Sequence, residues 1–142
     1  MMNKIINIIK PLSLVIVYCS ALFSYSALAD IAVIASSGSA TSSLSAKDVK
    51  KIFLGKSTAM TPVDQADGSA TRNTFYEKAA NKNESQMKAY WSKMIFSGKA
   101  TPPEIATDDA AVKAWVASNK NGVGYIDSGS VDGSVKVLLT IK

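Results

Sequence analysis

The chain has 142 residues, with 16 basic and 11 acidic side chains, one cysteine and no histidine. Without histidine, serine–histidine and cysteine–histidine nucleophiles are excluded, and zinc, copper and haem lose their usual ligands. The lysines are scattered along the chain and no aromatics interleave with them, so a nucleic-acid surface is not indicated.

The first segment is read as a signal for export. Lys4 and Lys10 make a positive start, Leu12 to Phe23 is an apolar run, and Ala27-Leu28-Ala29 offers small residues for cleavage before Asp30. The alternative is an uncleaved anchor, but the apolar run is short against the ~20 residues of a spanning helix. A lipoprotein would be acylated at Cys19. That residue lies inside the apolar run behind Tyr18, where such a cleavage site needs a small residue, so this reading is rejected. The expected division is residues 1–29 as signal peptide and 30–142 as one periplasmic domain without stable membrane insertion. The domain keeps 14 basic and 11 acidic residues, a net charge of +3, and no cysteine. It therefore has no disulfide, and its size suits a single core.

Ile31 to Ile34 predicts a short buried strand, and Ser36 to Ser43 a plain polar loop. Ser45-Ala-Lys-Asp48 has a capping-box pattern ahead of a short helix that presents Val49, Ile52 and Phe53 and ends at Gly55. Lys56 is expected in solvent. Met60 to Asp64 predicts a strand, with Pro62 at an edge or early position. Ala66 to Thr71 is a tight loop before a helix with Phe75, Tyr76 and Ala79 on its apolar face. Asn83 and Gln86 start a further helix carrying Met87, Tyr90, Trp91, Met94 and Ile95. Gly98 and Pro102-Pro103 break the pattern. Thr107 is the expected cap of the next helix, with Asp108 and Asp109 in its first turn and Ala111, Val112, Trp115 and Val116 facing inward. Val123 to Ile126 predicts another strand. A turn at Asp132-Gly133 leads to a last strand with Val135, Val137, Leu139 and Ile141 on one face. Trp91, Trp115, Phe53, Phe75, Phe96 and Tyr125 are all expected in the core. Short strands alternating with helices predict an α/β fold, a small mixed sheet flanked by helices.

The stretch Val63 to Phe75 carries the candidate chemistry. It passes from a strand end through small residues into a helix. Backbone N–H groups at a helix start lack internal partners and attract anions. Ser69 and Thr71 add hydroxyls. Arg72 is the only arginine and can hold an oxyanion with two parallel hydrogen bonds. An ordinary capped helix with a solvated arginine is the alternative.

Four segments in order are Ile52-Phe53-Leu54-Gly55-Lys56, the Asp67-Gly68-Ser69-Ala70-Thr71 loop, Trp91 to Lys99 with nearby Pro102, and Val123-Gly124-Tyr125-Ile126. Together they resemble the phosphate-binding proteins of phosphate ABC transporters, over essentially all of residues 30–142. The resemblance implies one lobe of the periplasmic-binding-protein superfamily, a phosphate or related oxyanion ligand, no cofactor, no metal and no enzymatic activity. It implies a site on the loop Asp67, Gly68, Ser69, Ala70 and Thr71, where Asp67, Ser69 and Thr71 keep the family's ligand types and Asp67 accepts the proton that phosphate has and sulfate lacks; Arg72 is the expected substitute, from the helix side, for the family's arginine. Two positions depart from the family's loop. Ala70 replaces a glycine, which suits only a backbone without positive φ. Gln65 stands where the family has an arginine. The resemblance maps onto the second of the family's two lobes. A single lobe offers an open half-site, completed by a homodimer or by an envelope protein partner. The competing reading is an adaptor that keeps the lobe fold without binding free phosphate.

Overall fold

The computed structural model describes residues 29–142. The signal-peptide reading rests on residues 1–28, which lie outside the described residues. The chain order is β1 (Ile31–Ser36), α1 (Ala46–Phe53), β2 (Thr61–Gln65), α2 (Ala70–Ala80), α3 (Glu84–Phe96), β3 (Glu104–Ala106), α4 (Asp109–Ser118), β4 (Gly122–Asp127), a 3-10 turn (Ser128–Ser130) and β5 (Val135–Ile141). The five strands form one mixed sheet in the order β3-β2-β4-β1-β5. β2 runs parallel to β3 and β4, while β1 runs antiparallel to β4 and β5. This is a single periplasmic-binding-protein-like lobe.

β1 is the central apolar strand, and all six of its residues are buried. Its alternating side chains serve two cores. Ile31, Val33 and Ala35 face α1, α2 and α3, where Phe53, Phe75, Met87 and Trp91 fill the first core. Ala32 and Ile34 face α4, where Val112 and Val116 build the second with Val63 and Ile126. Gly124 allows that second contact. A Cβ there would stand 2.6 Å from Val112 Cγ1 and 2.9 Å from Val63 Cγ1. Among the described residues, both cores are assembled from side chains between Ile31 and Ile141.

Local sequence explains most helix ends. Ser45 caps α1 by accepting the Asp48 N–H, but Asp48 reaches the Ser45 hydroxyl rather than its backbone N–H. Asn83 and Gln86 form a full reciprocal capping box. Pro62 takes the early position in its strand, as its missing N–H requires. The loop after β1 spends its hydroxyls on its own turns, Ser36 Oγ accepting from Gly38 and Ser39 Oγ from Thr41.

Four expectations need correction. The cap of α4 is Asp108, not Thr107, and its carboxylate accepts the Ala111 N–H at 2.8 Å. β3 follows directly on Pro102-Pro103, and three residues are too few to show a period. In β5 the register against β1 skips Leu138 between the pairs Val33–Leu139 and Ile34–Val137. This bulge reverses the facing of the strand. Val135 joins the second core, Leu138 is buried in the first with Leu139 and Ile141 packed against it, and Val137 is exposed. Phe96, finally, is no core residue: it is 96% exposed at the end of α3. α3 buries Met87 and Trp91 and leaves Ile95 and Phe96, in its last turn, exposed.

Candidate functional site

The carboxyl end of β2 carries a charge into the interior. Asp64 is 1% exposed. Its carboxylate accepts from the Tyr76 hydroxyl at 2.7 Å, from the Gln65 N–H at 2.8 Å and from the Tyr125 hydroxyl. Arg72, in the first turn of α2, is nearly as buried. Its Nε lies 3.6 Å from Asp64 and its Nη1 lies 3.3 Å from Asp67, and neither nitrogen makes a hydrogen bond. The guanidinium carbon sits 5.1 Å from the centre of the Tyr76 ring, a favourable cation–aromatic approach. Phe75 stacks on Tyr125 with centroids 3.9 Å apart and closes the cluster from the core side. The buried ion pair is therefore held by phenols and an aromatic wall.

Burial raises both phenols above the ordinary tyrosine range, and the adjacent Asp64 charge adds to the effect. Their folded-state values exceed the unfolded value of about 10. The unfolded chain then loses these two protons first. Stability is fully present below about pH 10 and falls as pH rises above it. Equilibrium unfolding followed across the alkaline range should show this decline, and Tyr76→Phe or Tyr125→Phe should make it shallower.

Gln65 follows Asp64 and points to the other side of the loop. Its amide nitrogen donates to Asp109 Oδ1 at 2.8 Å and to the Tyr125 carbonyl at 3.1 Å. Its amide oxygen accepts from the Ser69 hydroxyl at 2.8 Å. Ser69 in turn caps α2 by accepting the Arg72 N–H at 3.2 Å. The other Asp109 oxygen accepts from the Asp127 N–H and the Ser130 hydroxyl. One amide and one carboxylate thus tie β2, α2, α4 and β4 together at the carboxyl ends of the parallel strands.

The starts of α2 and α4 open there on a hollow of about 840 Å³, lined among others by Gln65, Ser69, Thr71, Thr107 and Asp109. The α2 start supplies backbone N–H groups and partial positive charge, whereas the α4 start brings the Asp108 and Asp109 carboxylates to the same hollow. Lys113 is the cation of the rim, donating to the Ser130 carbonyl at 3.0 Å and to Asp132 at 2.9 Å. The Asp132 carboxyl is held below the usual carboxylate range, first by the Ser134 hydroxyl and next by Lys113.

The six residues expected to form one site are divided between two surfaces. Ser69 and Thr71 line the α2–α4 hollow. Asp67 and Arg72 line a separate hollow of about 360 Å³ on the other side of the loop, with Lys88, Trp91, Ile95 and Ile105. Gly68 makes the turn with φ +83°. Ala70 is the first residue of α2, and Asn81 is the only non-glycine with positive φ among the described residues, so alanine fits the backbone at this position. Asp64, Tyr76 and Asp109 were not among the expected site residues. Tyr125 is in the core as expected, but its hydroxyl binds Asp64.

Neither a protein-family model nor a curated protein sequence matches the chain. Among solved structures, it is similar to an ABC-type phosphate transport receptor from Vibrio cholerae, at 21% identity with a TM-score of 0.61 over 78% of this chain. It is also similar to a protein from Clostridium perfringens assigned as a phosphate ABC transporter substrate-binding protein, with phosphate bound. That match has 26% identity and a TM-score of 0.61 over 78% of this chain. The chain covers 47% and 45% of these proteins, about half their length.

Proposed function

We propose that the chain is an exported oxyanion-binding lobe that takes phosphate at the start of α2. The observation that carries this reading is the α2 start itself. Ser69 and Thr71 lie beside first-turn N–H groups on an open hollow, in a fold shared with a phosphate-bound structure. The Ala70 and Thr71 amides and the Thr71 hydroxyl would donate to the anion. Ser69 is already engaged as donor to Gln65 and holds the turn. Gln65 is neutral and the hollow is open, so binding in the millimolar range is expected. The residues read as a binding surface rather than an enzyme, because Asp64 and Asp109 are both committed to structural hydrogen bonds. Calorimetric titration with phosphate should give saturable heat, and Thr71→Asp should abolish it by placing a carboxylate at the anion's position. Heat unchanged in Thr71→Asp would refute the assigned position.

A second reading is supported by Arg72. Its charge is taken up by Asp64 and Asp67 rather than offered to the α2–α4 hollow. On this reading the lobe is an adaptor for an envelope partner. It binds no free phosphate, and partner capture is insensitive to Asp67→Ala.

A further inference from the structure

Two segments left unused by this site are Phe53-Leu54-Gly55-Lys56 and Phe96-Ser97-Gly98-Lys99. Each ends a helix in the same way. Gly55 and Gly98 take φ values of +73° and +67°. The next amide turns back on the helix, Lys56 N–H to the Lys51 carbonyl at 2.8 Å and Lys99 N–H to the Met94 carbonyl at 3.1 Å. This is the left-handed cap that glycine permits. The two caps meet in space, since a Cβ on Gly55 would stand 2.8 Å from the Ala100 Cβ. They precede β2 and β3, so they lie at the edge of the sheet opposite the α2–α4 hollow.

Charge is segregated at this corner. Lys50 and Lys51 in the last turn of α1, Lys56, Lys93 in the last turn of α3, and Lys99 belong to the two cap segments, whereas Lys88 pairs with Glu84 at 3.7 Å and lies on the Asp67 side of α3. The contact of Gly55 with Ala100 brings the segments that carry Lys56 and Lys99 together. Beside Lys93 and Lys99 stand Ile95, 57% exposed, and Phe96, 96% exposed. A hollow of about 360 Å³ next to the caps is lined by Lys99 and by the hydroxyl residues Ser57, Thr58 and Thr101. A protruding aromatic with Lys93 and Lys99 three residues to either side, and with hydroxyl and ammonium donors in the adjacent hollow, matches the layered chemistry of an anionic bilayer surface. A second copy using the same face would set its lysines against like charge.

We propose that this corner docks peripherally on anionic phospholipid. Phe96 and Ile95 enter the interface, and Lys56, Lys93 and Lys99 meet the head-group phosphates. No helix among the described residues is long and apolar enough to cross a membrane. The test is flotation of the segment from Asp30 to Lys142 with vesicles of phosphatidylcholine, alone or mixed with phosphatidylglycerol. Binding is expected only with phosphatidylglycerol and should weaken with added salt. Lys56→Glu and Lys99→Glu should each lower it by about 5-fold or more, the scale of one lysine charge near such a surface. Phe96→Ser, at a site too exposed to disturb folding, should lower it by a similar factor. Lys142→Glu, at the opposite edge, should leave it unchanged. Absence of binding to phosphatidylglycerol vesicles would overturn the proposal, as would equal binding to both vesicle types or unchanged binding of Phe96→Ser. Sedimentation showing self-association that Phe96→Ser removes would assign the face to a second copy instead. Full competition by soluble glycerol phosphate would reduce the corner to a site for free phosphate esters and would equally overturn it.

Discussion

Asp64→Ala should destabilise the domain by about 3–5 kcal/mol, the usual cost of leaving one partner of a buried ion pair uncompensated. Asp64 is the acceptor for two phenols and a backbone N–H and the counter-charge of Arg72. Its removal strands the guanidinium, whose Nε and Nη1 already lack hydrogen bonds. Asp67 cannot replace it, because its side chain is 60% exposed and its attraction is screened by water. Urea unfolding of the segment from Asp30 onward would measure the loss. A double variant, Asp64→Leu with Arg72→Met, removes both charges and should recover a large part of it. A loss below about 1 kcal/mol for Asp64→Ala, the range of an exposed pair, would contradict a charged cluster in the interior.

Gln65→Arg should strengthen phosphate binding by about 10-fold or more, because hydrogen bonds from a charged donor to an anion are roughly twice as strong as neutral ones. The position is prepared for a cation. Asp109 Oδ1 already accepts from the Gln65 amide at 2.8 Å and would pair with one edge of a guanidinium. The rest of that group would enter the hollow that Ser69 and Thr71 line. The change also costs something: Ser69 loses the amide oxygen to which it donates. Stability should fall modestly while affinity rises. Calorimetry on the variant and the parent would check this, and an unchanged or weaker response to phosphate would count against the assigned hollow.

Sequence reasoning located most elements because their signals are local. A capping Asn83 with Gln86, a glycine after Leu54 and an apolar run in β1 each act within a few residues. The bulge at Leu138 has no local signal, since it depends on how β5 meets β1, and it reversed the expected face of the tail. Phe96 fits a helical apolar period, yet it is the last residue of α3 and stands exposed. The loop from Asp67 to Arg72 was legible as one stretch. What its order along the chain could not show is that the turn at Gly68 sends Asp67 and Arg72 to one side and Ser69 and Thr71 to the other. Asp64 offered one signal, a carboxylate in a strand directly after a buried valine. Its partners lie 12 and 61 residues away, beyond any local pattern.

The most direct measurement is an amide NMR titration of the segment from Asp30 to Lys142 with phosphate, and with sulfate, at constant ionic strength. Phosphate should give saturable shifts with a millimolar midpoint, largest at the Ala70 and Thr71 amides. Shifts that do not saturate, or that leave these two amides unmoved, would contradict an oxyanion site at the start of α2.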